Sequence, residues 1–290
     1  MFLVLVSLIL RPVGFKFRSK LDNTMWRSFW DWALVVGGAV PTLVFGVAVR
    51  NALQGVSFAF DADLRASYDI TLFDLLNPFG LLCGLVSLCM LTMHGAAYLS
   101  LKASEPVAGR ARNAGRMAAL ATIALFALAG LVTAFLLRGY EIASAIDPAG
   151  PSNPLGKTVL RETGAWLSNY GRHPWMLAAP LPGFAGAAAA AALFKSRRAV
   201  VTWLATAASV AGIVATAGVS MFPFLLPSAT SLSSSLTVWD ASSSRLTLGV
   251  MLVAALIFVP IVLAYTGWVY RVLRGPVTAA GISADPHGVY

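Results

Sequence analysis

Of the three histidines, only His94, in LTMHGAAYL, lies within an apolar run; His173 and His287 fall in polar segments. In a membrane, histidines on facing helices can hold a low-spin haem by two axial bonds. With one such histidine that pair cannot be built here, and Met90 and Met93, the sulfur alternatives nearby, read as packing residues. His94 is expected to be a part-buried polar side chain with a hydrogen-bond partner, because an unpartnered imidazole in hydrocarbon is costly. No HExxH, P-loop or GxSxG pattern occurs, and the twelve acids lie in polar segments or at the ends of apolar runs. Asp31 (FWDWALVV) and Asp74 (LFDLLNPFG) each open an apolar run, where a helix dipole favours a carboxylate; proton transfer is the alternative role. Cys83 and Cys89, six residues apart in one run, suit neither a disulfide framework nor a CxxC site.

The elements that would carry these residues are membrane helices. Hydrophobic residues make up 58% of the 290 and charged ones 11%, too few polar side chains to cover a water-soluble globule. Stretches of about 20 apolar residues give six complete spans, at 30–49, 73–101, 115–137, 174–194, 199–223 and 246–270. Met117 to Leu137 and Leu248 to Tyr265 are apolar on every face, which excludes the alternating strands of a β-barrel. The fold class expected is all-α, a polytopic helix bundle forming a single integral membrane domain over 1–290. Met1 to Leu10 is apolar but reaches only about half of a hydrocarbon core. It reads as a partial N-terminal helix ending at Arg11 and Pro12, the back half of a span in a longer protein.

Fourteen of the 21 Lys and Arg fall in 11–29, 102–116, 195–198 and 271–290, and seven in the intervening segments. By the positive-inside rule the first set is cytoplasmic, so residues 11–29 and the C-terminus lie inside. The net charge of +9 is then a topology signal, and no basic stripe with interleaved aromatics points to nucleic acid. The longest polar segment, 138–173, contains Val159, Leu160, Trp166 and Leu167, spaced for a short amphipathic helix or for a surface loop with aromatic anchors. Ala187 to Ala192, preceded by Gly183 and Gly186, offers a narrow face for close helix packing. Beyond MFPFLLPS, where Pro223 and Pro227 stop one helix, a Ser/Thr-rich stretch leads to Trp239 and Asp240. An ordered hairpin is expected there, with Asp240 near the start of the last helix and accepting from its free amides.

A transporter or channel is one reading of such a chain, but midplane polar clusters are missing and only Pro41, Pro180, Pro182 and Pro260 suggest broken helices. A membrane subunit lodged against a partner is the other. RPVGFKFRSK (11–20), WRSFWDWALVVGGAVPTLVFGVAVRNALQGV (26–56), NPFGLLCGLVSLCMLTMHGAAYLSLK (77–102), SNPLGKTVLRETGAWLSNY (152–170) and MFPFLLPSATSLSSSLTVWDASSSRLTLGVML (221–252) decide between them. In order and over essentially the whole chain, they resemble subunit II of cytochrome bd ubiquinol oxidase.

The resemblance implies a bacterial plasma-membrane quinol oxidase that reduces oxygen to water in the respiratory chain. It places haem b and haem d in subunit I, the expected partner, with a small accessory subunit as a further candidate. Subunit II then binds no haem directly, holds a structural quinone and contributes to proton delivery. Family members carry an acid where this chain has Lys16, and a lysine, protonated at neutral pH, cannot relay protons as a carboxylate does. Arg11 and Arg18 match the family pattern, with inner-face anchoring as their simpler role. Arg11, Lys16, Arg18, Asp31, His94, Trp239 and Asp240 are thus the candidate proton-path or interface positions, and no catalytic or metal site is expected.

Overall fold

The computed structural model describes residues 2–278 apart from 70, 72–75, 146–149, 151, 197 and 276, which leaves Asp74 and His287 outside the described residues. The chain runs α1 (Phe2–Phe17), α2 (Thr24–Gln54), β1 (Phe58–Phe60), β2 (Ala66–Tyr68), α3 (Pro78–Lys102) and α4 (Val107–Phe135). It continues through β3 (Arg138–Ile142), β4 (Val159–Thr163), α5 (Ser168–Arg172), α6 (Pro180–Leu193), α7 (Ala199–Met221), β5 (Phe224–Leu226), β6 (Leu236–Thr237) and α8 (Arg245–Val272). Six segments are long and apolar enough to cross a membrane: α2, α3, α4, residues 174–193 leading through α6, α7 and α8. The six expected spans are therefore present as helices.

Their ends differ from expectation, and the differences have causes. Helix α1 does not stop at Arg11 and Pro12 but continues to Phe17 with Pro12 inside it, and Gly14 beyond the proline packs against Leu34 of α2. Helix α2 begins at Thr24 under an Asn23 cap whose side chain accepts from the Met25 amide at 2.9 Å. Its 31 residues reach about 46 Å at 1.5 Å each, well beyond a hydrocarbon core, so its first turns extend past it. Helix α4 likewise starts at Val107, with Arg110, Arg112 and Arg116 on its first turns.

Small residues set the packing. A Cβ at Gly46 would run into the backbone of Cys83 and Gly84, so α2 and α3 touch main chain to main chain there. Gly186 lies against the backbone of Ala205 and Ser209, and Gly212 against Gly183, joining α6 to α7 with the Ser209 hydroxyl donating to the Gly183 carbonyl at 2.8 Å. The expected close packing of the alanine run is realised: Ala187, Ala190 and Ala191 are buried with Met93, Ala97, Ala119 and Phe194 in one core between α3, α4 and α6. Helix α8 is the exception. None of its residues is buried, and it is tied back at its far end by the Lys102 ammonium on the Leu273 carbonyl (2.6 Å) and the Val277 amide on the Lys102 carbonyl (2.7 Å).

Three two-stranded antiparallel hairpins, β1–β2, β3–β4 and β5–β6, add a little strand to an otherwise helical fold, and they gather at one end of the bundle. The segment 138–173 is not an amphipathic helix. Val159 and Leu160 sit on β4, Gly164 turns the chain at φ 76°, and Trp166 follows in a short 3-10 turn.

Candidate functional site

The candidate positions fall into three separate places. The first is the elbow between α1 and α2. Arg18 meets Asp31 through two bonds, Nε to Oδ1 at 2.5 Å and Nη2 to Oδ2 at 3.2 Å, with both side chains about half exposed. Asp31 lies seven residues into α2, past the first turn where a helix dipole would favour it, and pairs with Arg18. That carboxylate's hydrogen bond, and then its charge, push the Arg18 pKa up. Phe17, Trp26 and Trp30 pack beside the pair, and the Trp26 indole N–H donates to the Phe17 carbonyl at 2.7 Å. Lys16 is exposed, and the Arg11 stem lies over Gly37 of α2.

The second place is His94 on α3. Its ring stacks on Trp203 of α7 at 5.9 Å, and Nδ1 lies 3.0 Å from the Thr206 hydroxyl, the partner that burial demanded. Of the two methionines nearby, Met93 is fully buried among α4 and α6, and Met90 packs with Ile213 in another cluster. Among the described residues no group of three or more His, Cys, Asp or Glu converges.

The third place is the hairpin cap, which holds Trp239 and Asp240. Asp240 does not serve the last helix, whose cap is Ser244 accepting from the Thr247 amide at 3.3 Å. It pairs instead with Lys157 at 2.6 Å, both side chains nearly buried at 4% and 11% exposure. Asp240 also accepts from the Thr237 amide (3.2 Å) and hydroxyl (2.5 Å), while Lys157 donates to the Pro154 carbonyl at 2.8 Å. Trp239 packs edge-on against Phe222 at 6.3 Å and is part-buried, in the turn that follows the β5–β6 hairpin.

Three cap residues close helix ends from a distance. At the end of α2, the Trp166 indole donates to the Leu53 carbonyl and the Tyr140 hydroxyl to the Gln54 carbonyl, each at 2.9 Å. At the end of α7, the Asn169 amide reaches the carbonyls of Val219 (3.1 Å), Ser220 (3.3 Å) and Phe222 (2.6 Å). These are the carbonyls a helix cannot satisfy itself. Burial pushes the Tyr140 and Tyr170 phenols above the ordinary tyrosine range, offset in part by Arg161 and by the Ser220 hydroxyl respectively. Below the cap, between α2, α3, α4, α6 and α7, lies an apolar cavity of about 530 Å³ lined by Phe45, Phe79, Phe126, Phe184 and Ile213, with Tyr170 and Ser220 at its edge.

The model of the cytochrome bd terminal oxidase subunit II family matches residues 1–273. The chain belongs to that family. It is 45% identical over 288 residues to the probable cytochrome oxidase subunit 2 of Haemophilus influenzae and 44% identical over 290 residues to cytochrome bd-I ubiquinol oxidase subunit 2 of Escherichia coli. Those matches cover 99% and 100% of this chain and 76% of each relative. The solved bd oxidase of Geobacillus thermodenitrificans shares the fold, with a TM-score of 0.61 at 15% identity, over 93% of this chain and 72% of that one. Membership of this family makes the chain a subunit of a membrane oxidoreductase complex and does not favour the transporter reading.

The chain is thus built around positions that sequence reasoning ranked low or missed. Trp166, Tyr140, Asn169 and Lys157 carried no motif. Their signal was a polar or aromatic residue in a loop long enough to fold back over helix ends, which spacing alone does not identify.

Proposed function

We propose that this chain is the haem-free membrane subunit of a bacterial cytochrome bd quinol oxidase. It seats subunit I, which carries haem b and haem d, and has no active site of its own. The observation that carries this reading is His94: it is the sole histidine on a spanning helix among the described residues, it is engaged with Thr206 and Trp203, and no second axial side chain accompanies it. The apolar cavity beneath the cap suits the prenyl tail of a structural quinone, a ligand that would be held by contact area with few polar groups. The chain sits in the inner membrane with 11–29 and the C-terminus cytoplasmic and the hairpin cap outside, in keeping with the gathering of the three less basic segments at one end. Proton delivery at the elbow then runs without the family's acid at Lys16, beside an Arg18–Asp31 pair.

The test is co-expression with subunit I in membranes lacking other terminal oxidases. The chain alone should purify without haem absorption, and the complex should show haem bands and quinol-dependent oxygen uptake. His94→Ala should leave those bands intact; their loss from an assembled complex overturns the haem-free assignment. Lys16→Glu should raise oxygen uptake if the elbow feeds protons, and an unchanged rate removes the elbow from the path.

A further inference from the structure

A second cavity, of about 280 Å³, lies in the cap beside the apolar one, and its lining is of another kind. Ser220 borders both cavities, with its hydroxyl bonded to Tyr170 at 2.8 Å. The cap cavity carries charge of both signs. Glu141 on β3 and Arg172 on α5 meet in its wall through Oε1 and Nη2, which leaves Glu141 Oε2 and the other guanidinium N–H groups without a partner among the described residues. With Arg172 60% and Glu141 28% exposed, that ion pair is weakly held, so a ligand that brings one charge of each sign can open it and pair with both halves. Asn169 and Ser168, also in the wall, have only acceptors to offer. The Asn169 amide nitrogen is committed to three helix-end carbonyls, and the Ser168 proton to the Ala165 carbonyl at 2.7 Å.

The level of the cavity in the molecule decides which ligand of that kind reaches it. Two of its residues, Ser220 and Phe222, flank Met221, the last residue of α7, and a third, His173, immediately precedes the span 174–193. The cavity therefore stands where two spanning segments end, at headgroup depth. Phe222, Trp175 and Leu181 are exposed along that rim, the aromatic and apolar surface that suits the edge of a bilayer. We propose that the cap cavity binds the headgroup of a zwitterionic phospholipid, its phosphate on Arg172 and its primary ammonium on Glu141, Asn169 Oδ1 and Ser168 Oγ, with the acyl chains passing Trp175 and Leu181. Arginine matches a phosphate through several N–H groups at once. An anionic headgroup would leave Glu141 without a cation, and a quaternary ammonium has no N–H to give the acceptors. The inference needs only the membrane spans, and it stands apart from how haem and quinol are shared between subunits.

Native mass spectrometry of the full chain, purified in detergent with equal amounts of a phosphatidylethanolamine, a phosphatidylcholine and a phosphatidylglycerol of the same acyl chains added, tests it. The ethanolamine lipid should be retained about tenfold over either competitor, the scale of a hydrogen bond to a charged group. Glu141→Gln should erase the preference over phosphatidylglycerol, and Arg172→Gln should weaken retention of both of those lipids. Glu162→Gln, on exposed β4, should change neither. Equal retention of the three lipids by the parent chain overturns the proposal without any variant having to fold, and so does a preference that survives Glu141→Gln. Glycerophosphoethanolamine, the headgroup without its chains, added at the same concentration as the lipid, should displace none of it; displacement would make the ligand a soluble zwitterion and overturn the lipid assignment.

Discussion

The two ends of the bundle are held by different physics. At the capped end, loops from three parts of the chain interlock: the Ser228 hydroxyl donates to the Phe58 carbonyl, the Phe60 amide to Ser234 at 3.1 Å, and Lys157 pairs with Asp240 across 83 residues. Trp166, 1% exposed, sits at the centre with Tyr140 and Phe224 around it. At the other end, short connections carry ion pairs that are open to solvent, Arg18–Asp31, Arg27–Asp22 and Arg112–Glu105. Exposed pairs contribute little and are screened by salt, whereas a buried polar network must be satisfied in full or it destabilises. The capped end should therefore control stability, and the basic end should tolerate substitution.

Trp166→Ala should produce the largest loss. It empties a large buried site and leaves the Leu53 carbonyl without its donor, together worth about 4 kcal/mol. Thermal unfolding of the purified chain in detergent measures this, and a loss no greater than that of a lipid-facing leucine variant would dissolve the contrast between the ends. Lys157→Met comes next, at about 3 kcal/mol, because it strands Asp240 in a nearly buried site. Adding Asp240→Leu should recover most of that loss, since an apolar pair of similar volume needs no desolvation. If the double variant is no better than the single one, the pair does more than neutralise itself.

Much of this molecule was legible from the chain, for reasons that also explain what was not. Spans declare themselves because hydrocarbon tolerates only apolar runs with internally bonded backbone, and the alanine run of α6 declared its close packing by lacking side chains. The cap is different. Whether Trp166 anchors at a surface or fills a core depends on the Gly164 turn and on where the end of α2 lies in space, 113 residues away in sequence. Asp240 looked like a helix cap because it preceded a helix; its partner Lys157 belongs to another loop. Asp31 was misplaced by a simpler route: apolarity marks where hydrocarbon begins, and α2 starts a full two turns earlier, at Asn23.

A smaller effect comes from pH. Burial pushes the Tyr140 phenol up, with Arg161 above its ring at 5.2 Å partly opposing. A folded pKa above the unfolded one means that the stabilisation is complete below the unfolded value of about 10 and is lost as pH rises through the folded value. Melting temperature should fall as pH rises above about 10 and through the raised folded value. Tyr140→Phe should flatten that fall while lowering stability at neutral pH, because the hydroxyl no longer meets the Gln54 carbonyl. Tyr170, also raised, accounts for what slope remains.

The least effect should come from the most conspicuous ion pair at the basic end. Arg18 and Asp31 make two bonds in good geometry, yet each side chain is about half exposed, so water and salt already solvate the charges that the pair would neutralise. Asp31→Asn should leave the melting temperature indistinguishable from that of the parent chain at physiological salt, with a small loss emerging only at low ionic strength. The aromatic packing of Phe17, Trp26 and Trp30 against the elbow survives the substitution and keeps α1 on α2. If Asp31→Asn instead rivals Lys157→Met in the chain purified alone, the elbow is buried by lipid or detergent; if it does so only in the assembled complex, a partner covers the basic end. The same measurement in the assembled complex would then separate burial by a partner from burial by lipid, because only the former should disappear when the chain is purified alone.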